Sequence, residues 1–138
     1  MTLTFVDASV LIAAARGTED AARRAMAVLD DPHRTFASSD SVRLEVLPKA
    51  IDHGNDVEAD FYRAFFDRVS AWAAPVDRIA EAAYQCAVAD GLSAMDALHV
   101  AGAAAVRADE LVTSEKAAKP VHRVTAVRVT TIHPGSGG

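Results

Sequence analysis

The chain has little that would cross-link it or carry it into a membrane. It has a single cysteine, Cys86, so no internal disulfide is available. Cys86 falls in an apolar helical run, where a thiol packs as a small hydrophobe. An unbridged chain of this kind fits a reducing compartment, and a cytoplasmic protein is expected. No apolar run approaches the ~20 residues that span a bilayer. The N-terminus lacks the basic start, apolar stretch and small-residue cleavage site of a signal peptide. Positive charge is also short: 14 Lys and Arg stand against 19 Asp and Glu, a formal net charge of -5. That argues against a broad basic nucleic-acid footprint. It leaves a nuclease open, because a carboxylate site is itself acidic and a bound metal inverts its local sign.

Other chemistries lack their residues. There is no GxGxxG and no GxxxxGK[ST] phosphate loop, and no GxSxG nucleophile turn. The five histidines, His33, His53, His99, His122 and His133, show no HxxxH or Cys/His spacing, so a zinc site is not expected.

What the chain does have is apolar surface. Hydrophobic residues make up 51% of its 138 residues and charged ones 24%, so it is not disordered. The length fits one domain, expected over residues 1–133, and a chain of about 150 residues buries ~70% of its unfolded surface. Abundant alanine favours helix.

The first ten residues organise the rest. Residues 3–6 form a short apolar run that reads as a buried strand. It stops at Asp7, and Ser9 follows at the head of a helical run over 10–16. A strand that opens a chain and feeds a helix reads as a central strand of a parallel sheet. In such sheets ligands bind outside the carboxyl ends of the strands, which is where Asp7 falls.

The remainder alternates in the same way. Gly17 is a helix stop and Thr18 a helix start, with the second helix ending before Asp30-Asp31-Pro32. Residues 34–37 are a weak strand, and Ser38-Ser39-Asp40-Ser41 offers N-caps for a third helix. Pro48 should kink or break that helix. A fourth helix is predicted over 56–70, with i,i+4 aromatic pairs Phe61/Phe65 and Tyr62/Phe66 forming a core or partner-facing stripe. Residues 72–76 read as a strand, with Pro75 placing it near an edge or end. Asp77 reads as the cap of a fifth helix, and a sixth, opened by Leu92-Ser93-Ala94-Met95-Asp96, runs to about Arg107. Asp109-Glu110 reads as a turn, 111–113 and 126–132 as strands, and 134–138 as a disordered tail. Strands alternating with helices predict an α/β fold with a mainly parallel sheet.

Four acids stand out. Asp7 and Glu115 each follow a strand, where ligand sites form and where Asp or Glu also serves as a helix-start residue. Glu45 sits on a helix among Val42, Leu44, Val46 and Leu47. Asp96 opens a helix whose stretch 94–105 has only Asp96 and His99 as polar residues; a buried carboxylate there needs a partner. His99, one turn on, is placed to hydrogen-bond Asp96 or to pack in the core. If the four acids meet they repel, which raises pKa values. A hard divalent cation with oxygen ligands, Mg²⁺ or Mn²⁺, removes that conflict. An aspartyl-nucleophile phosphatase usually has a second acid two residues on, where this chain has Ser9. A phosphoacceptor receiver domain usually has an adjacent acid pair, whereas Asp7 stands alone.

These segments carry a resemblance. Phe5-Val6-Asp7-Ala8-Ser9-Val10-Leu11-Ile12, the helix with Glu45, Leu92-Ser93-Ala94-Met95-Asp96-Ala97-Leu98-His99-Val100-Ala101 and Leu111-Val112-Thr113-Ser114-Glu115 appear in order along most of the chain. The chain resembles a PIN-domain ribonuclease, most of all the VapC toxins of VapBC toxin–antitoxin pairs. The resemblance implies a parallel sheet sandwiched by helices and Mg²⁺- or Mn²⁺-dependent hydrolysis of RNA phosphodiesters. It implies Asp7, Glu45, Asp96 and Glu115 as catalytic acids, with Asp7, Asp96 and Glu115 holding metal and Ser9 and Thr113 orienting carboxylates or water. Glu115 stands where Asp is commoner in the family, and the aromatic often found shortly after that acid is missing. The resemblance also implies an antitoxin partner and a homodimer. Arg16, Arg43, Lys116 and Lys119 are candidates for phosphate contact. Two rival readings are a PIN-like domain that binds without cutting and a processing nuclease with no antitoxin.

Overall fold

The computed structural model of the chain describes residues 1–135; the predicted tail at 134–138 therefore lies largely outside the described residues. Five strands form one sheet in the order β3-β2-β1-β4-β5. They are β1 Thr2–Val6, β2 Arg34–Ser39, β3 Val69–Ala73, β4 Glu110–Thr113 and β5 Val129–Thr131. Every pairing is parallel. The opening strand is central, as expected, because its Phe5 and Val6 are fully buried and need cover from both faces.

Six helices flank the sheet: α1 Ala8–Arg16, α2 Glu19–Leu29, α3 Asp40–Asp52, α4 Asp56–Arg68, α5 Val76–Asp90 and α6 Ala94–Ala105. Most start on a side-chain cap that accepts a backbone N–H: Asp7, Thr18, Ser39, Asn55 and Ser93. α1 packs on α2, α3 and α4, and α6 packs on α5 and crosses β2, β3 and β4. α6 lies close to the sheet at Gly102, where a Cβ would meet the Phe5 ring at 3.2 Å. One core of Phe5, Leu11, Leu29, Phe36, Tyr62, Phe65, Val100 and Leu111 runs through both layers.

The structure departs from the sequence reading at four points. α3 is not broken at Pro48, one of the two outcomes expected there; buried Val42, Val46 and Ala50 pin both of its halves, and tertiary packing of this kind outweighs one missing backbone bond. β3 begins at Val69, inside the stretch predicted as helix, and ends at Ala73. A register shift between Phe36 and Ala37 on the partner strand accommodates it, and Pro75 cannot donate to a further ladder bond. Asp77 lies within the first turn of α5 and does not cap it; the cap position is Pro75, with no side-chain bond. Glu110 is a strand residue, only 7% exposed. Its carboxylate accepts from Arg34 Nε at 2.9 Å and from Thr4 Oγ1 at 3.1 Å, which satisfies a charge that would otherwise be costly to bury.

Candidate active site

Parallel strands place all their carboxyl ends at one edge, and the loops there carry the acids. Asp7 leaves β1 directly, Glu115 lies two residues after β4, Glu45 is on the helix that follows β2, and Asp96 is in the first turn of α6. A cleft of about 210 Å³ is lined by Asp7, Ser9, Glu45, Asp96, His99 and Glu115, with Ala8, Ser93 and Met95 completing its wall. The four predicted acids thus come from four separate segments to one cleft.

Asp7 is the buried member, at 6% exposure. Its Oδ1 accepts the Ser9 hydroxyl at 2.5 Å, the Ser9 N–H at 3.0 Å and the Val10 N–H at 3.3 Å. The same carboxylate both caps α1 and faces the cleft. Burial pushes the Asp7 carboxyl above its usual range, against hydrogen bonds from Ser9 and Thr113, the nearby His99 and the Val10 backbone, which all act to lower it. The cause that raises it is desolvation rather than the expected repulsion among the acids.

Asp96 is half-buried rather than enclosed. Its backbone N–H binds the Ser93 cap at 3.3 Å, and its carboxylate has no hydrogen-bond partner among the described residues, so it is open to the cleft. The buried polar residue of α6 is His99, at 3% exposure. His99 pairs not with Asp96 but with Glu45: its Nε2 lies 2.5 Å from Glu45 Oε1. The carboxylate is an acceptor only, so Nε2 carries the proton.

Ser9 and Thr113 tie the strand ends together. The Ser9 hydroxyl, while donating to Asp7, accepts the Ser114 N–H at 3.0 Å. Thr113 Oγ1 accepts the Glu115 N–H at 3.1 Å. The Glu115 carbonyl accepts from Thr131 Oγ1 at 2.6 Å and His122 Nε2 at 3.1 Å. Glu115 is therefore held by its backbone and leaves its side chain to the cleft. The sequence carries no signal for the roles of His122, Thr131 or Ser114, since each acts through a backbone group brought near by the fold.

The donor set is carboxylate and hydroxyl oxygen, with the one histidine nitrogen in the cleft already turned to Glu45. Such a set suits a hard cation rather than zinc. Among the described residues, no three Asp, Glu, His or Cys side chains are gathered into a ready-made metal cage. Mg²⁺ does not require one, since it keeps several waters through which further carboxylates can reach it. No helix among the described residues is long and apolar enough to cross a membrane.

Solved structures with the same architecture include toxin–antitoxin complexes. VapBC2 from Rickettsia felis, bound to a DNA fragment from its promoter, aligns over 94% of this chain and 98% of its own, with a TM-score of 0.67 at 15% identity. A toxin–antitoxin complex from Klebsiella pneumoniae aligns over 94% and 98%, with a TM-score of 0.69 at 21% identity. DNA-bound VapBC from Salmonella typhimurium aligns over 96% and 99%, with a TM-score of 0.66 at 15% identity. No curated protein matched the sequence. A family model for the PIN domain matches residues 4–123, a span that takes in every acid of the cleft, and the chain belongs to the PIN domain family, a family of nucleases.

Proposed function

We propose that this protein is a divalent-metal-dependent endoribonuclease of VapC type, acting in the cytoplasm as the toxin of a toxin–antitoxin pair. The observation that carries the reading is the convergence of Asp7, Glu45, Asp96 and Glu115 on one cleft at the carboxyl edge of a PIN fold. Asp7, Asp96 and Glu115 would hold Mg²⁺ or Mn²⁺. When bound, such an ion supplies Lewis acidity for phosphodiester hydrolysis and offsets charge on the phosphate.

The protein's own groups do the rest. Ser9 and the first N–H groups of α1 fix Oδ1 of Asp7, which faces the cleft. Asp96 is open to the cleft from the first turn of α6. Glu45, held by His99, takes a proton from the attacking water. The backbone clamp on Glu115 sets where that longer acid reaches.

An antitoxin is supported by the toxin–antitoxin complexes among the structural neighbours. A shallow apolar groove between α2 and α4, lined by Met26, Leu29, Phe61, Ala64, Phe65 and Arg68, fits the apolar face of a partner helix. A homodimer is supported by Tyr84 and Val88, which stand 68% and 70% exposed one helical turn apart on α5.

The deciding experiment is cleavage of single-stranded RNA by the purified protein with Mg²⁺ or Mn²⁺, with excess chelator, and as Asp7→Asn and Asp96→Asn. Metal-dependent cutting that both variants lose is the expected result. Full cutting in chelator, or by either folded variant, would overturn the reading.

A further inference from the structure

The chain's charge is divided unevenly along its length. All 19 Asp and Glu fall within residues 1–115, against ten Lys and Arg, while residues 116–138 carry Lys116, Lys119, Arg123 and Arg128 and no acid at all. The chain is therefore strongly acidic up to Glu115 and basic after it. All four late cations are exposed. None of them meets a carboxylate among the described residues, whereas five of the ten earlier cations, Arg16, Arg23, Arg34, Arg43 and Arg63, do.

The fold sets this segment against the cleft. It starts at Glu115, which lines the cleft. It is pinned there by His122 and Thr131, whose side chains both donate to the Glu115 carbonyl. Lys116 and Lys119 close one turn through Lys119 N–H to the Lys116 carbonyl at 3.0 Å. Because β4 and β5 run parallel, the chain must travel back from the carboxyl end of β4 to the amino end of β5. Arg128 marks that far end, its carbonyl accepting the Leu111 N–H at 2.8 Å. The cations thus begin beside the acids, continue through the 3₁₀ turn Pro120–Arg123, and end at the opposite edge of the sheet.

An acidic cleft on an acidic protein repels a polyphosphate chain unless positive charge guides it. Unneutralised Lys and Arg are the groups that exchange counterions for phosphates. We propose that residues 116–128 form a phosphate-binding track that leads the RNA backbone into the acid cleft. The proposal rests on the nuclease reading for its ligand. No Phe, Tyr or Trp occurs after residue 115, so the track has no stacking platform. It holds the backbone without reading bases.

Binding is measured separately from cutting. In an Asp96→Asn background, fluorescence anisotropy of a labelled single-stranded RNA oligonucleotide is followed over a salt series with Mg²⁺ present. Replacing Lys116, Lys119, Arg123 and Arg128 together by Gln should weaken binding at low salt by tenfold or more. It should also flatten the slope of log K against log salt by about 0.7 for each phosphate that the variant no longer neutralises. Arg at Lys116 and Lys119 should keep both affinity and slope. Circular dichroism confirms that the Gln variant is folded. RNA binding with unchanged affinity and slope would overturn the track, as would no binding by the parent. Loss of affinity only for a polyglutamate peptide would also overturn it, and would mark the segment as a docking site for an acidic protein. Failure of the parent to cut RNA under any metal condition would sink the nuclease reading but leave the binding result to stand or fall alone.

Discussion

His99 Nε2 lies 2.5 Å from Glu45 Oε1, while His99 Nδ1 is buried with no hydrogen-bond partner among the described residues. A carboxylate only accepts, so Nε2 donates to it and holds Glu45 against the buried ring. His99 is thus a positioning residue for Glu45. The amide of Gln at position 99 can still donate, whereas Phe cannot. A hydrogen bond to a charged group is worth about 1.5–3 kcal/mol. His99→Phe should therefore slow RNA cleavage by roughly 10- to 100-fold, and His99→Gln should recover part of it. Equal rates for the two folded variants would show that the pair does not position Glu45.

Asp7 predicts a pH dependence. Burial raises its folded pKa above the ordinary 3.8, so the folded state favours the protonated acid. That contribution to stability is fully present below the unfolded pKa and is lost as pH rises through the folded one. Asn at position 7 keeps the oxygen that caps α1 and carries no charge. At pH 7 without metal, Asp7→Asn should melt at or above the parent's temperature, and the gap should close as the pH falls toward the ordinary carboxylate value of about 4. A variant less stable than the parent at neutral pH would contradict the burial argument.

Metal should act in the opposite direction, because it favours the ionised acids. At ~100 times its dissociation constant, an ion that binds only the folded protein adds about 2.7 kcal/mol. Thermal melts with Mn²⁺ and with chelator should show that gain in the parent and much less in Asp96→Asn. An equal gain in both would remove Asp96 from the ion's ligands.

The α2–α4 groove makes a distinction that residue type alone does not. Phe65 is 3% exposed and belongs to the core, so Asp there should unfold the protein. Phe61 is half-buried and Ala64 exposed, so Phe61→Asp and Ala64→Glu should leave the fold intact and weaken antitoxin binding tenfold or more. Titration of both folded variants with the cognate antitoxin tests this; unchanged affinity in both would place the partner elsewhere.

A two-fold dimer buries the same patch on both subunits. If Tyr84 and Val88 form that patch, light scattering at micromolar concentration should give a dimer mass for the parent and a monomer mass for Tyr84→Asp. A monomeric parent would remove the dimer, and a dimeric Tyr84→Asp would move its interface.

The order of elements was legible in the sequence because its signals are local. Alternation from strand to helix, Asp7, Thr18 and Ser39 at helix starts, and the apolar run at residues 3–6 all act within a few residues of chain. The acids could be picked out for the same reason, since each stands at an element boundary or on an apolar helix. The tertiary structure decided what depends on residues distant in sequence. It paired His99 with Glu45, 54 positions away, where the local spacing had offered Asp96. It buried Asp7 under the packed strand ends and left Asp96 half open, and desolvation rather than mutual repulsion raised the Asp7 carboxyl. It carried α3 through Pro48 because buried side chains on both sides hold it. Burial and long-range pairing are properties of neighbours in space, and the neighbours of a side chain are settled only when the sheet order brings distant segments together.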